Sequence, residues 1–180
     1  MPYSIIVDVD DVILDWTKSF SEYTGFDFTN TPKRIHECLG ITLSEEKAMI
    51  HTFNKSPAFG ELPLVDGALR GIYFLMHHYD VSFVTSCGTH ETTQSLRKTQ
   101  LAELFGSGIK VEFLPMHTVK LEPVTRLRPK IIIDDNYDNV MCGRNNGAFG
   151  YLFTTPWSVT KGPTHNWEQI LSELAPTQKS

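Results

Sequence analysis

The chain is poor in cysteine, in net positive charge and in long apolar runs, and each shortage removes a class of protein. Its three cysteines, Cys38, Cys87 and Cys142, are odd in number, widely spaced and form no CxxC pair. They supply neither a disulfide framework nor a zinc site, and free thiols are expected. Basic residues number 16 against 21 acidic ones, a formal net charge of −5, which argues against a general nucleic-acid or anionic-membrane binder. No apolar run approaches the roughly 18 residues of a membrane helix. Met1-Pro2-Tyr3-Ser4 has no basic n-region, so no secretory leader is expected and a cytoplasmic location is. Repeats and low-complexity tracts are also missing.

What the chain does contain is an apolar segment that ends abruptly in acids, Ile5-Ile6-Val7-Asp8-Val9-Asp10-Asp11. The β-branched run reads as a buried strand. Carboxylates at the C-terminal end of a parallel strand lie where α/β proteins bind ligands. Acids so close together repel, and a divalent cation is the natural compensation. Asp8 and Asp10, two apart, can point the same way, while Asp11 turns aside.

Further strands are predicted at Val81–Val84, Val111–Leu114, Lys130–Ile133 and Gly147–Phe153. Helices are predicted over Val12–Tyr23, from Thr31, from Ser44 as an N-cap, from Asp66-Gly67, over Glu91–Phe105 and over Asn166–Leu174. Strands alternating with helices predict an α/β fold, a doubly wound parallel five-stranded sheet. Residues 26 to 65 contain no strand and read as a small helical cap. The expected division is a Rossmann-like catalytic core at 1–15 and 66–176, a cap at 16–65 and a disordered tail at 177–180.

Three strand ends carry related chemistry: Asp8 and Asp10, then Thr85 and Ser86, then Asp134 and Asp135. Carboxylates from two strands and hydroxyls with backbone amides from a third suit Mg²⁺ and a phosphate. A phosphate also wants a cation. Lys130 opens its strand, about 13 Å from Asp134 at ~3.3 Å per residue, and so lies at the wrong edge. Lys120, in the loop after the third strand, is on the correct edge. Cys87 stands beside this motif but has no visible activating partner. The adjacent His77 and His78 lack the i, i+4 spacing of a helical metal site and read as helix-end residues.

The order DxD, Thr-Ser, Lys, Asp-Asp resembles the haloacid dehalogenase (HAD) phosphatases, and more closely their 5'(3')-deoxyribonucleotidase branch. Asp8-Val9-Asp10-Asp11-Val12, Ser56 to Pro63 leading to Asp66-Gly67-Ala68, Val84-Thr85-Ser86, Ile133-Asp134-Asp135 and Thr155-Pro156-Trp157 carry the likeness. It implies Asp8 as nucleophile forming an aspartyl-phosphate, Asp10 as general acid and base, and Thr85, Ser86 and Lys120 as phosphate ligands. It also implies Mg²⁺ held by Asp8, the Asp10 backbone carbonyl and Asp135, with Asp134 behind or acting through water. Trp16 and Phe59 fall where that branch has aromatics touching the base, although aromatics at helical spacing also serve cores. Asp11 and Val119 depart from the branch pattern, where a small and an acidic residue are usual.

The partner expected is therefore a small phosphate monoester, first of all a nucleotide, with no nucleic-acid polymer and no membrane, and a homodimer as the candidate assembly. A sugar phosphate or another small metabolite is the alternative substrate. A phospho-acceptor receiver domain fits less well, because its acidic pair precedes the acceptor Asp and it has no cap.

Overall fold

The computed structural model describes residues 2–175. The proposed tail at 177–180 lies outside them. Five strands, β1 (Ser4–Val7), β2 (Asp80–Thr85), β3 (Lys110–Phe113), β4 (Ile131–Asp134) and β5 (Phe149–Leu152), form one sheet in the order β3-β2-β1-β4-β5. Every pairing is parallel. Eight α-helices connect them: α1 (Trp16–Thr24), α2 (Ile35–Leu39), α3 (Leu43–Phe53), α4 (Ala68–His78), α5 (Glu91–Phe105), α6 (Leu121–Leu127), α7 (Tyr137–Asn145) and α8 (Trp167–Leu174). No helix among the described residues is long and apolar enough to cross a membrane.

Strand alternation explains why the central strands are apolar throughout. Ile5, Val7, Phe83, Ile131 and Ile133 enter a large cluster with Phe20, Phe53, Ile72, Leu101 and Trp167. Ile6, Val84 and Ile132 turn to the opposite face and pack with Val124 and Ala148. Both faces are covered, so neither needs polar positions. Trp167 closes one side: its Nε1 donates to the Val12 carbonyl at 2.7 Å, and its ring lies so close to Gly71 that a Cβ there would overlap it.

The segment between β1 and α4 holds α1, α2, α3 and a 3-10 turn at Pro57–Glu61. Several predicted boundaries shift. The first helix begins at Trp16, not Val12, because Val9 to Leu14 folds into a tight turn instead. There Ile13 N and Leu14 N donate to the Val9 carbonyl, and Leu14 bridges to Leu64. Asp15 caps the helix by accepting from Lys18 N at 3.0 Å. The helix expected from Thr31 begins at Ile35 instead. The third is capped by Thr42, not Ser44, since Thr42 Oγ1 accepts from Glu45 N while Glu45 reaches back to Thr42 N.

Candidate active site

Register brings the acids together. Val7 pairs with Phe83 on one side and Ile133 on the other, so β1, β2 and β4 end level. Asp8 N donates to the Ile133 carbonyl at 2.9 Å, which seats Asp8 beside Asp134. Asp8, Asp10, Thr85, Ser86, Lys120, Asp134 and Asp135 all line one cavity of about 550 Å³.

Lys120 stands between two of the carboxylates. Its Nζ donates to Asp8 Oδ1 at 2.6 Å and to Asp134 Oδ2 at 2.7 Å, and the side chain is only 1% exposed. Burial alone would lower the Lys120 pKa, but the Asp134 and Asp8 charges outweigh it and hold the ammonium protonated. Its backbone N–H donates to Asn139 Oδ1, which fixes the loop that delivers it. Lys130 is exposed and lies near the Tyr3 ring, 5.7 Å from its centre.

The second oxygen of Asp134 is taken as well, by Asn136 N at 2.9 Å and Asn139 Nδ2 at 3.2 Å. Asp135 Oδ2 accepts from Trp157 Nε1 at 2.7 Å. Asp8 Oδ2 and Asp135 Oδ1 therefore remain open toward any added ligand among the described residues. One oxygen from each of Asp8, Asp134 and Asp135 lies within 4.8 Å of the others. An all-carboxylate set without sulfur or imidazole suits a hard divalent cation.

The electrostatics point the same way. Burial raises the Asp8 carboxyl above its ordinary range, opposed by Lys120 and reinforced by Asp10. Asp134 is pushed up to about 6, mainly by burial. Asp135 is raised well above the usual carboxylate range by burial and by the charges of Asp8, Asp134 and Asp11. One lysine does not neutralise this group, and a bound cation would lower all three.

Asp10 is held by Arg97, a residue with no distinguishing mark in its polar stretch. Arg97 Nη2 donates to Asp10 Oδ1, and Thr85 Oγ1 approaches Oδ2 at 3.4 Å. Arg97 is fully buried on α5, its guanidinium 4.0 Å above the Phe59 ring and its Nη1 on Gln100 Oε1. This corrects the expectation for Phe59. It is fully buried and does not line the cavity, so it supports the underside of Arg97 instead of meeting a substrate. Trp16 does line the cavity, its Nε1 donating to Asn54 Oδ1 at 2.9 Å. Ser86 lines it too, with its hydroxyl donating to the Thr118 carbonyl at 3.0 Å.

Asp11 turns aside with a φ of 60° and accepts from both Thr17 N at 2.8 Å and Thr17 Oγ1 at 2.7 Å. Burial pushes its carboxyl up to about 7 despite those bonds. Cys87 is buried and its thiol is pushed up to about 12, chiefly by burial, which leaves it un-ionised at neutral pH. His77 and His78 are the last two residues of α4. From the segment between β1 and α4 the cavity is lined by Trp16, Phe28, Ile35 and Ile50, with the polar Thr31, Lys33, Arg34, Glu46 and Asn54 among them.

No family model matches the sequence, and no curated relative matches it. Solved structures do resemble the fold. A haloacid dehalogenase-like family hydrolase from Streptococcus pneumoniae superposes with a TM-score of 0.64 at 14% identity, over 96% of this chain and 98% of that one. A HAD hydrolase from Bacillus subtilis, solved bound to magnesium, gives 0.54 at 19% identity over 84% and 88%. A HAD family enzyme from Bacteroides thetaiotaomicron, solved with magnesium and inorganic phosphate, gives 0.50 at 16% identity over 86% and 96%. The chain has the HAD-like fold. At these identities the likeness extends to the fold alone, and chemistry has to be argued from the side chains.

Proposed function

We propose that the protein is a Mg²⁺-dependent phosphomonoesterase working through an aspartyl-phosphate, with a (deoxy)nucleoside 5'-monophosphate as substrate. The observation that carries this reading is Asp8 on the cavity floor, bonded to Lys120, with Asp10 two residues on and Asp135 open beside it. In this reading residues 1–15 and 66–176 supply the chemistry and 16–65 form the cap that selects the substrate.

Asp8 attacks phosphorus with its free oxygen. The new O–P bond forms as the ester O–P bond breaks, and Asp10 gives the departing alkoxide its proton. Asp10 then takes a proton from the water that attacks the phospho-Asp8, which releases phosphate and restores both carboxyls. Lys120, the Thr85 hydroxyl and the Ser86 amide hold the phosphoryl oxygens. A magnesium ion held by Asp8 and Asp135, with the Asp10 carbonyl and Asp134 in support, supplies charge neutralisation between two anions. Phosphoryl transfer asks for little beyond such positioning and charge.

Two features favour a nucleotide: a cavity wide enough for a base and sugar, and an aromatic wall that includes Trp16 and Phe28. Stacking on a base is worth roughly 1–3 kcal/mol. The test is phosphate release with Mg²⁺ from nucleoside monophosphates, sugar phosphates and p-nitrophenyl phosphate, with Asp8→Asn and EDTA controls. Turnover of deoxynucleotides that both controls abolish is the expected result. Turnover confined to sugar phosphates would keep the chemistry and remove the substrate, and turnover surviving in Asp8→Asn would remove both.

A further inference from the structure

The cap wall contains one carboxylate that the phosphate chemistry does not use. Glu46, on α3, is 7% exposed and lines the cavity among Trp16, Phe28, Ile35 and Ile50. His36 donates its backbone N–H to Glu46 Oε2 at 2.9 Å and its Nδ1–H to the same oxygen. Among the described residues His36 is the only basic group paired with Glu46, although Lys33 and Arg34 line the same cavity. Oε1 receives no hydrogen bond from any described residue. A carboxylate offers about four acceptor sites, and Oε1 is not a sealed orphan but open to the cavity, where a donor on a ligand can reach it.

We propose that Glu46 Oε1 reads the end of the substrate distant from the phosphate, and that the chain selects nucleoside monophosphates whose base carries an exocyclic amino group. This rests on the phosphomonoesterase reading and names the substrate within it. With the phosphate at Asp8, the rest of the ester extends toward the cap. Glu46 shares the cavity lining with Trp16, Phe28, Ile35 and Ile50, whose apolar faces suit the flat face of a base, while Thr31, Lys33, Arg34 and Asn54 add polar groups to the same cavity. The free atom on that wall is an acceptor. It attracts an N–H edge, as on cytosine or adenine, and repels the carbonyl that uracil or hypoxanthine presents at the same position.

His36 makes the test a sharp one. In an isosteric Glu46→Gln variant, the two His36 donors select the amide oxygen for the Oε2 position. The amide NH₂ then faces the cavity, and the acceptor becomes a donor. The experiment measures kcat/KM with Mg²⁺ for the matched pairs dCMP and dUMP, and dAMP and dIMP, in the wild type and Glu46→Gln. A thermal melt of each protein shows that it is folded.

The wild type should favour the amino member of each pair by about 10- to 150-fold, the range for one hydrogen bond to a charged group. Glu46→Gln should abolish or invert that ratio. Equal use of both members by the wild type, or a ratio unchanged in Glu46→Gln, overturns the proposal, as does turnover of sugar phosphates alone. Loss of the parent reading looks different: no ester, p-nitrophenyl phosphate included, is hydrolysed. In that event calorimetric binding of dCMP against dUMP to Asp8→Asn and to Asp8→Asn/Glu46→Gln decides the role of Glu46 by itself. A preference for dCMP that the second substitution reverses supports it, and equal affinities refute it.

Discussion

Replacing Asp11 with asparagine isolates what one half-buried carboxylate costs. The unfolded chain releases the Asp11 proton near the ordinary value of 3.8, whereas the folded protein keeps it until about 7. Within that window the native state binds the extra proton, so stability falls as pH rises, by about 1.4 kcal/mol per pH unit. Above pH 7 the penalty levels off at about 4 kcal/mol. Asparagine has no proton to lose and can keep both contacts, its Oδ1 accepting from Thr17 N and its Nδ2 donating to Thr17 Oγ1. It also tolerates the φ of 60° that this turn requires. In EDTA, Asp11→Asn should therefore match the wild type within about 1 kcal/mol at pH 4.5 and exceed it by up to about 4 kcal/mol at pH 8. For a chain of this size each kcal/mol moves Tm by about 2–4 °C. Urea denaturation at pH 4.5, 6, 7 and 8 measures the difference. A gain that does not change with pH, or a less stable variant at pH 8, would show that burial of Asp11 carries no such penalty.

Lys120→Met leaves Asp8 and Asp134 buried and unpaired. Without divalent cation it should lose about 3–5 kcal/mol of stability, and with Mg²⁺ part of that should return while turnover stays about 10²–10³-fold down. Full activity in Lys120→Met would remove this lysine from the chemistry. Gly71→Ala tests the fold alone. Its Cβ would overlap Trp167 Cε3, a fault worth about 1–3 kcal/mol in a packed core, and an unchanged Tm would mean that α4 and α8 separate more easily than their contact implies.

The sheet was legible because its strands are short apolar runs punctuated by acids or small polar residues, a pattern no amphipathic helix imitates. Lys120 could be distinguished from Lys130 by strand direction alone, and the structure bonds Lys120 to Asp8 and Asp134. Arg97 left no trace in the sequence. It lies in a polar helix beside Lys98, and only the fold reveals that Arg97 is buried and Lys98 exposed. Phe59 misled for the complementary reason, since an aromatic near a ligand site and an aromatic beneath an arginine look alike in one dimension. The start of α1 was misplaced because Ile13 falls at helical spacing with Trp16, Phe20 and Tyr23, while the Val9 carbonyl draws the backbone into a turn. Glu46 reads as an ordinary solvent-facing acid until His36 is seen beside it.

Asn54 also has a mechanical consequence. It takes the Trp16 indole on Oδ1, donates Nδ2 to the Cys87 carbonyl at 3.0 Å, and receives the Thr93 hydroxyl on its own carbonyl at 2.9 Å. The last turn of α3 is thus riveted to the loop after β2 and to α5, while the connection through α2 has no comparable anchor among these bonds. Any opening that preserves those bonds swings about Asn54 as a pivot. Glu46 lies eight residues away, roughly 12 Å along the helix at 1.5 Å per residue. On that lever arm a rotation of about 10° displaces Glu46 by roughly 2 Å, more than the tolerance of a hydrogen bond. Small tilts of the cap would thus make or break the contact at its wall while scarcely moving Trp16, beside the hinge.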